Sequence, residues 1–284
     1  MNPAIEVQSG EKASVLTGRI ASTNLAQRVC ETCNGRIGCL EVCLLLSVAT
    51  LIAQLSPDFL RLWRWWHWPG VFGQAELLEG KTILSHVDYL VCRPKGYSTH
   101  KRWPMLLYLH GSGQRGDDVS QLLTWGLPRL ISEGLQVPMI VVAPLCRANT
   151  NWDSRQLLAL VDHLQEQLFI DPDRIYVSGE SMGGFGTWDL IAVAPARFAA
   201  AVPVCGGGDI EKANRMVKLP IWAFHGAGDK VISVDQSQKM VDAVQARGGQ
   251  ARLTIFPDEG HSIGELVFSR NDLYAWLLEH SRRH

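Results

Sequence analysis

From about residue 73 to the end, short apolar runs alternate with longer segments whose apolar positions recur at helical spacing. That alternation predicts an α/β fold on a mostly parallel central sheet, flanked by helices on both faces. Strands are expected at 86–92, 105–110, 139–143, 174–178, 199–204, 221–225 and 252–256. Most are Leu-rich or β-branched runs without a polar alternate face, as strands covered on both sides require. Helices are expected at 119–132, 154–168, 182–193, 234–246 and 265–280. Residues 233–236 spell a capping box before the fourth helix, and Gly248 with Gly249 offers it a left-handed stop. There is no internal repeat and no low-complexity tract.

Residues 1–72 read as an N-terminal extension to the domain at 73–284. Residues 1–39 are polar, and 42–55 form an uncharged apolar run of 14 residues. That is shorter than the roughly 20 residues a spanning helix needs, and it suits the apolar stretch of a signal peptide. Glu41 at its edge and the lack of an A-x-A site count against cleavage. Trp63, Trp65, Trp66 and Trp68 follow closely. Two readings stand side by side: membrane contact through 42–68, or a helix packed on the domain's own surface. The first implies an exported or membrane-associated protein, the second a cytoplasmic one. An upstream start codon is a further account of the extension.

Composition narrows the partners. The 46% apolar content supports a sizeable core, and 27 basic against 28 acidic residues leave no field for nucleic acid. A small molecule or short peptide is the expected partner. Four of seven cysteines crowd at Cys30, Cys33, Cys39 and Cys43. Only the first pair has the spacing of a zinc knuckle, so a metal there is weakly supported. Cys92, Cys146 and Cys205 lie far apart, which argues against a disulfide framework in the domain.

Two pentapeptides spell G-x-S-x-G, centred on Ser181 and Ser262. Ser181 follows the strand-like RIYVSG and runs directly into a helical pattern, with Gly179, Gly183 and Gly184 around it. A serine lifted on a sharp strand-to-helix turn needs those small neighbours, so Ser181 is the candidate nucleophile. Ser262 follows FPDEG, a loop, and no later strand remains to carry an acid and a base. Gly111 to Gly116 spells G-x-G-x-x-G, but Asp117 and Asp118 would set two carboxylates where a pyrophosphate should lie. His-Gly-Ser-Gly after a strand suits an oxyanion loop instead.

A serine hydroxyl becomes nucleophilic when a base takes its proton and a carboxylate orients that base. His261, in the loop after the last strand, is the candidate base; His225, closing a strand, reads as structural. Asp229, four residues beyond the strand at 221–225, is the natural acid, and Asp209 stays open. The amides of Ser112 and Met182 are the candidate oxyanion donors. This chemistry requires no metal or organic cofactor.

The segments LLYLHGSGQRGDD, IDPDRIYVSGESMGGFGTWDL, PVCGGGD, LPIWAFHGAGDKVISVDQS and GHSIGELVF together resemble the α/β-hydrolase esterases. They look most like the predicted-peptidase and phospholipase/carboxylesterase branch related to dienelactone hydrolase and to the prolyl oligopeptidase catalytic domain. The resemblance implies an α/β-hydrolase catalytic domain over 73–284, with nucleophile Ser181, acid Asp229, base His261 and oxyanion amides Ser112 and Met182. It implies a serine hydrolase of carboxylic esters. Alternatives are a peptidase of short peptides and a non-catalytic binding protein on the same fold. Gln114, where relatives commonly carry Glu, and Ser262-Ile263-Gly264 after the histidine depart from the pattern.

Overall fold

The computed structural model describes residues 70–79 and 82–282, with side chains from residue 87 onward. The chain divides into two units, Met1–Arg64 and Trp65–His284, and all described residues belong to the second. The cysteine cluster at 30–43, the apolar run and the Trp-rich segment lie outside the described residues. Among those described, no helix is long and apolar enough to cross a membrane.

Eight strands of the described residues form one sheet: β1 (Gly70–Glu79), β2 (Thr82–Cys92), β3 (Trp103–Leu109), β4 (Ile140–Pro144), β5 (Ile170–Glu180), β6 (Ala200–Val204), β7 (Ile221–Gly226) and β8 (Ala251–Phe256). Their order across the sheet is β1-β2-β4-β3-β5-β6-β7-β8. β1 and β2 run antiparallel to each other, and β2 runs antiparallel to β4. The neighbours from β4 across to β8 are parallel. β1 was not expected. Its sequence, GVFGQAELLE, carries two glycines and two acids, and its extended form rests on the pairing with β2 from Gly70 opposite Cys92 onward.

The helices are α1 (Gly126–Ser132), α2 (Ser154–Gln167), α3 (Met182–Val193), α4 (Asp235–Gln245), α5 (Gly264–Phe268) and α6 (Asn271–Leu278). Side chains of β3 point alternately to two cores, as pleating demands. Met105, Leu107 and Leu109 meet Leu160, Val161 and Leu164 of α2, Trp188 and Ile191 of α3, and Met240 and Val244 of α4. Leu106 and Tyr108 meet Leu127 of α1, Phe268 of α5, and Leu273, Tyr274 and Leu277 of α6. Each such side chain, fully buried, contributes roughly 1.5–3 kcal/mol.

Two expected helices are broken. Residues 119–132 split into a 3-10 turn, Val119–Leu123, and α1, because Gly126 adopts a left-handed φ of 72°. A Cβ there would also overlap the Tyr108 hydroxyl. Residues 265–280 split at Arg270, whose backbone is extended and whose Nε donates to Asp272 Oδ1 at 3.0 Å. The capping box is offset by one residue: Ser233 Oγ accepts from the Asp235 amide at 3.3 Å, and α4 begins at Asp235. Its stop is as expected, with Gly248 left-handed at φ 81°.

α3 crosses the sheet at close range. A Cβ on Gly183 would overlap the carbonyl of Leu109 in β3, and one on Gly179 would overlap the carbonyl of Gly183. Both obstacles are backbone and cannot rotate aside. Gly183→Ala is therefore expected to destabilise the protein by about 1–3 kcal/mol or more, read as a lower urea midpoint and lower soluble yield. A wild-type midpoint in that variant would contradict the packing described.

Candidate active site

β5, β7 and β8 end at Glu180, Gly226 and Phe256, and Ser181, Asp229 and His261 follow them. Parallel strands place these three loops at one edge of the sheet, where ligands of open α/β sheets bind. Ser181 has φ 57° and ψ −117°, a conformation that costs a non-glycine residue on the order of 1–3 kcal/mol. Two anchors hold it. The Ser181 amide donates to the Val204 carbonyl of β6 at 2.9 Å, and its carbonyl accepts from Phe185 in α3 at 3.0 Å.

The three side chains meet. Ser181 Oγ lies 2.9 Å from His261 Nε2, and His261 Nδ1 lies 2.7 Å from Asp229 Oδ2. With the carboxylate as acceptor, Nδ1–H donates to it, leaving Nε2 to accept the serine proton. The loops carrying Asp229 and His261 are joined through their backbones. The Ala227 amide donates to Phe256 O and the Gly228 amide to Glu259 O, each at 2.9 Å. Gly226 is a glycine because a Cβ would overlap the Gly260 carbonyl of the histidine loop.

Asp229 has a fully buried side chain. Burial alone would raise its pKa, but hydrogen bonds from His261 and from the amides of Ile232 and Val231 outweigh that and hold it below the ordinary value. Both amides donate to Oδ1 at 2.8 Å. The other open acid, Asp209, is exposed. It accepts from the Glu211 amide at 3.0 Å and pairs with Lys212 at 3.3 Å, so it caps a 3-10 turn.

Ser112 opens a 3-10 turn (Ser112–Gln114) and Met182 opens α3, so their amides belong to the first turns, where N–H groups have no intrahelical acceptor. The loop before Ser112 is pinned by groups the sequence did not single out. His110 is buried; its Nδ1–H donates to Gly111 O at 2.6 Å while Nε2 accepts from the Cys146 amide at 3.0 Å. That arrangement suits a neutral ring, and burial lowers its pKa to about 4. Trp152 donates to His110 O at 3.2 Å and packs edge-on against the His110 ring. Gln114 is buried, and its amide group faces the carbonyls of Gln121, Leu122 and Trp125.

Glu180, beside Ser181, is a second buried carboxylate. Its Oε2 accepts from Trp125 Nε1 at 3.0 Å and its Oε1 from the Gly264 amide at 3.2 Å. Burial raises its pKa, and those two bonds and the nearby His261 oppose the rise. It ties the segment after His261 to the end of β5. The signal for it was the acid inside GESMG, close after the apolar stretch Ile175–Val177 of β5. Ser262, centre of the second pentapeptide, is exposed. The cysteines Cys92, Cys146 and Cys205 are free and buried. A cavity of about 590 Å³, lined by Pro195, Phe198, Lys218, Pro220 and Arg282 among others, lies before β6 and β7, at the opposite sheet edge from Ser181.

The sheet order, its flanking helices and the three loop ends define an α/β-hydrolase fold. Residues 141–266 match the Dienelactone hydrolase family. Dipeptidyl-peptidase 5 of Porphyromonas gingivalis is 25% identical over 280 residues, covering 72% of this chain and 40% of its own length. A bifunctional acetylxylan esterase/xylanase of Neocallimastix patriciarum is 29% identical over 211 residues, covering 68% of this chain and 30% of its own length. This chain thus spans less than half the length of either. A solved thermostable esterase superposes with a TM-score of 0.64 at 27% identity, across 75% of this chain and 63% of its own.

Because the folded-state pKa of Asp229 is depressed, its stabilising effect is present above the unfolded value of about 3.9 and is lost as pH falls through the folded value. Asp229→Asn is expected to be about 1–3 kcal/mol less stable than wild type at neutral pH. Urea unfolding should show that gap narrowing at the acid end. A gap independent of pH would contradict the ionised, fully bonded carboxylate.

Proposed function

We propose that the protein is a serine hydrolase that cleaves carboxylic esters through an acyl-enzyme formed on Ser181. The observation that carries this is the unbroken chain from Ser181 Oγ through His261 to the buried Asp229, at 2.9 and 2.7 Å. Ser181 Oγ attacks the ester carbonyl as its proton passes to His261 Nε2. Asp229 stabilises the imidazolium without taking its proton. The amides of Ser112 and Met182 receive the developing oxyanion; removing one such donor typically costs about 10²- to 10³-fold in rate. His261 returns the proton to the leaving alcohol, and water, activated by the same nitrogen, releases the acid. No step needs a cofactor.

Support for an ester comes from the similarity to esterases and from the site's accessibility. Ser181 is partly exposed, and the His261 side chain keeps 21% of its surface. The matched stretch of dipeptidyl-peptidase 5 supports a second reading, cleavage of short peptides by the same groups.

Comparison of p-nitrophenyl acyl esters with aminoacyl p-nitroanilides separates the two. Esters are expected to turn over faster, and faster anilide turnover would favour the peptidase. A fluorophosphonate should label the wild type and leave Ser181→Ala unlabelled, with turnover reduced on the order of 10⁶-fold. Ser262→Ala should keep most activity; a comparable loss there would move the nucleophile.

A further inference from the structure

His225 closes β7 and is fully buried, and both of its ring nitrogens are engaged. Nδ1 lies 2.8 Å from Ser237 Oγ, which itself donates to the Gly206 carbonyl at 2.7 Å or to the ring. Nε2 lies 3.0 Å from the Ile232 carbonyl and 3.1 Å from Asp229 Oδ2. Both neighbours of Nε2 are acceptors only once Asp229 is ionised, so Nε2 carries a proton whichever way the Ser237 hydroxyl points. Oδ2 is also the oxygen that takes His261 Nδ1–H.

We propose that His225 is a positioning residue of the hydrolytic reaction, its Nε2–H sharing Asp229 Oδ2 with His261 and so setting the carboxylate's orientation and its hold on the base. The inference rests on the serine-hydrolase reading above. Oδ1 is committed to the Val231 and Ile232 amides, so Oδ2 alone faces the base. A second donor on Oδ2 draws negative charge from it, which weakens its stabilisation of a protonated His261. It also opposes rotation of the carboxylate away from His261.

The charged and titratable groups around this cluster come from four loops. Cys205, after β6, lies beside Asp229; burial pushes its thiol up to about 12, so it is uncharged. Glu180, at the end of β5, faces His261 and favours the imidazolium, as Asp229 does. Cys205, His225 and Asp229 bring donor atoms within 4.8 Å of one another. Their protons and carbonyl partners make this cluster a hydrogen-bond hub centred on Asp229.

The test uses the full chain with p-nitrophenyl acetate. His225→Leu fills the ring's volume and supplies no donor; it should lower kcat by about 10- to 100-fold with little change in KM, the scale of losing a partner behind a catalytic ligand. The acidic limb of kcat/KM, which reports the base of the free enzyme, should move to higher pH. His225→Gln, whose amide can donate toward Oδ2, should restore much of both. Equal losses in the two variants with an unmoved limb would overturn the proposal.

A measurement on wild type decides the matter should a variant fail to fold. Phosphonylation of Ser181 protonates His261, and the His225 Nε2–H resonance, assigned by nitrogen-15 histidine labelling, should shift on modification. An unmoved resonance would overturn the proposal. Wild type that neither hydrolyses the ester nor takes the phosphonate would instead remove the serine-hydrolase reading itself.

Discussion

A carboxylate taken fully out of water must be surrounded by donors or it will not stay ionised, and the arrangement around Asp229 follows from that constraint. Its side chain has no exposed surface. Two amides of its own turn, Val231 and Ile232, take one oxygen, and two imidazoles take the other. The turn from Gly226 to Ile232 therefore curls around the acid, and its backbone is tied to the next loop through Phe256 and Glu259. The histidine loop inherits its position from those ties. An exposed acid such as Asp209 can share its charge with water, and beyond the Glu211 amide and Lys212 of its own turn it organises nothing.

Ser181 is fixed by a different device. The backbone of Ser181 sits in a conformation that local energetics disfavour, so it must be imposed by packing. α3 supplies the packing by running almost into β3, which only glycines at 179 and 183 permit. The loop from Gly111 to Gln114 is then set against the same crossing: a Cβ at Gly111 would lie 3.6 Å from Ser181 Cβ. Neutral His110 and Trp152 hold that loop by bonds to its carbonyls, and Gln114 ties it to the carbonyls of Gln121, Leu122 and Trp125. Ser181 and the Gly111–Gln114 loop are thus placed by one rigid contact between helix and sheet.

Much of this was legible in the sequence because it depends on spacing. Strands without a polar alternate face identified the covered sheet. The order of Ser181, Asp229 and His261 after β5, β7 and β8 selected those three from several serines, acids and histidines, and the structure brings them within hydrogen-bonding distance. What spacing could not carry was partnership across the sheet. β1 exists as a strand only beside β2, and the helix break at Gly126 sits against Tyr108, a neighbour distant in sequence. His225 read as a structural histidine because nothing local shows that its ring reaches the oxygen used by His261. Glu180 and Trp125 stand 55 residues apart, and the acid in GESMG does not reveal its partner.

The same reasoning accounts for the second G-x-S-x-G. In GESMG the glycines serve the serine between them, through a backbone crossing. In GHSIG each glycine answers to something else. Gly260 presents its carbonyl against Gly226, and Gly264 leaves room for the Glu180 carboxylate, which a Cβ there would overlap. The Gly264 amide donates into that carboxylate, and Trp125 donates from the opposite side. A buried glutamate next to Ser181 thus requires a glycine three residues after His261, where a larger residue would have to displace the acid. The departure after His261 and the acid before Ser181 are two sides of one contact, and the repeated spelling has separate physical causes at its two sites.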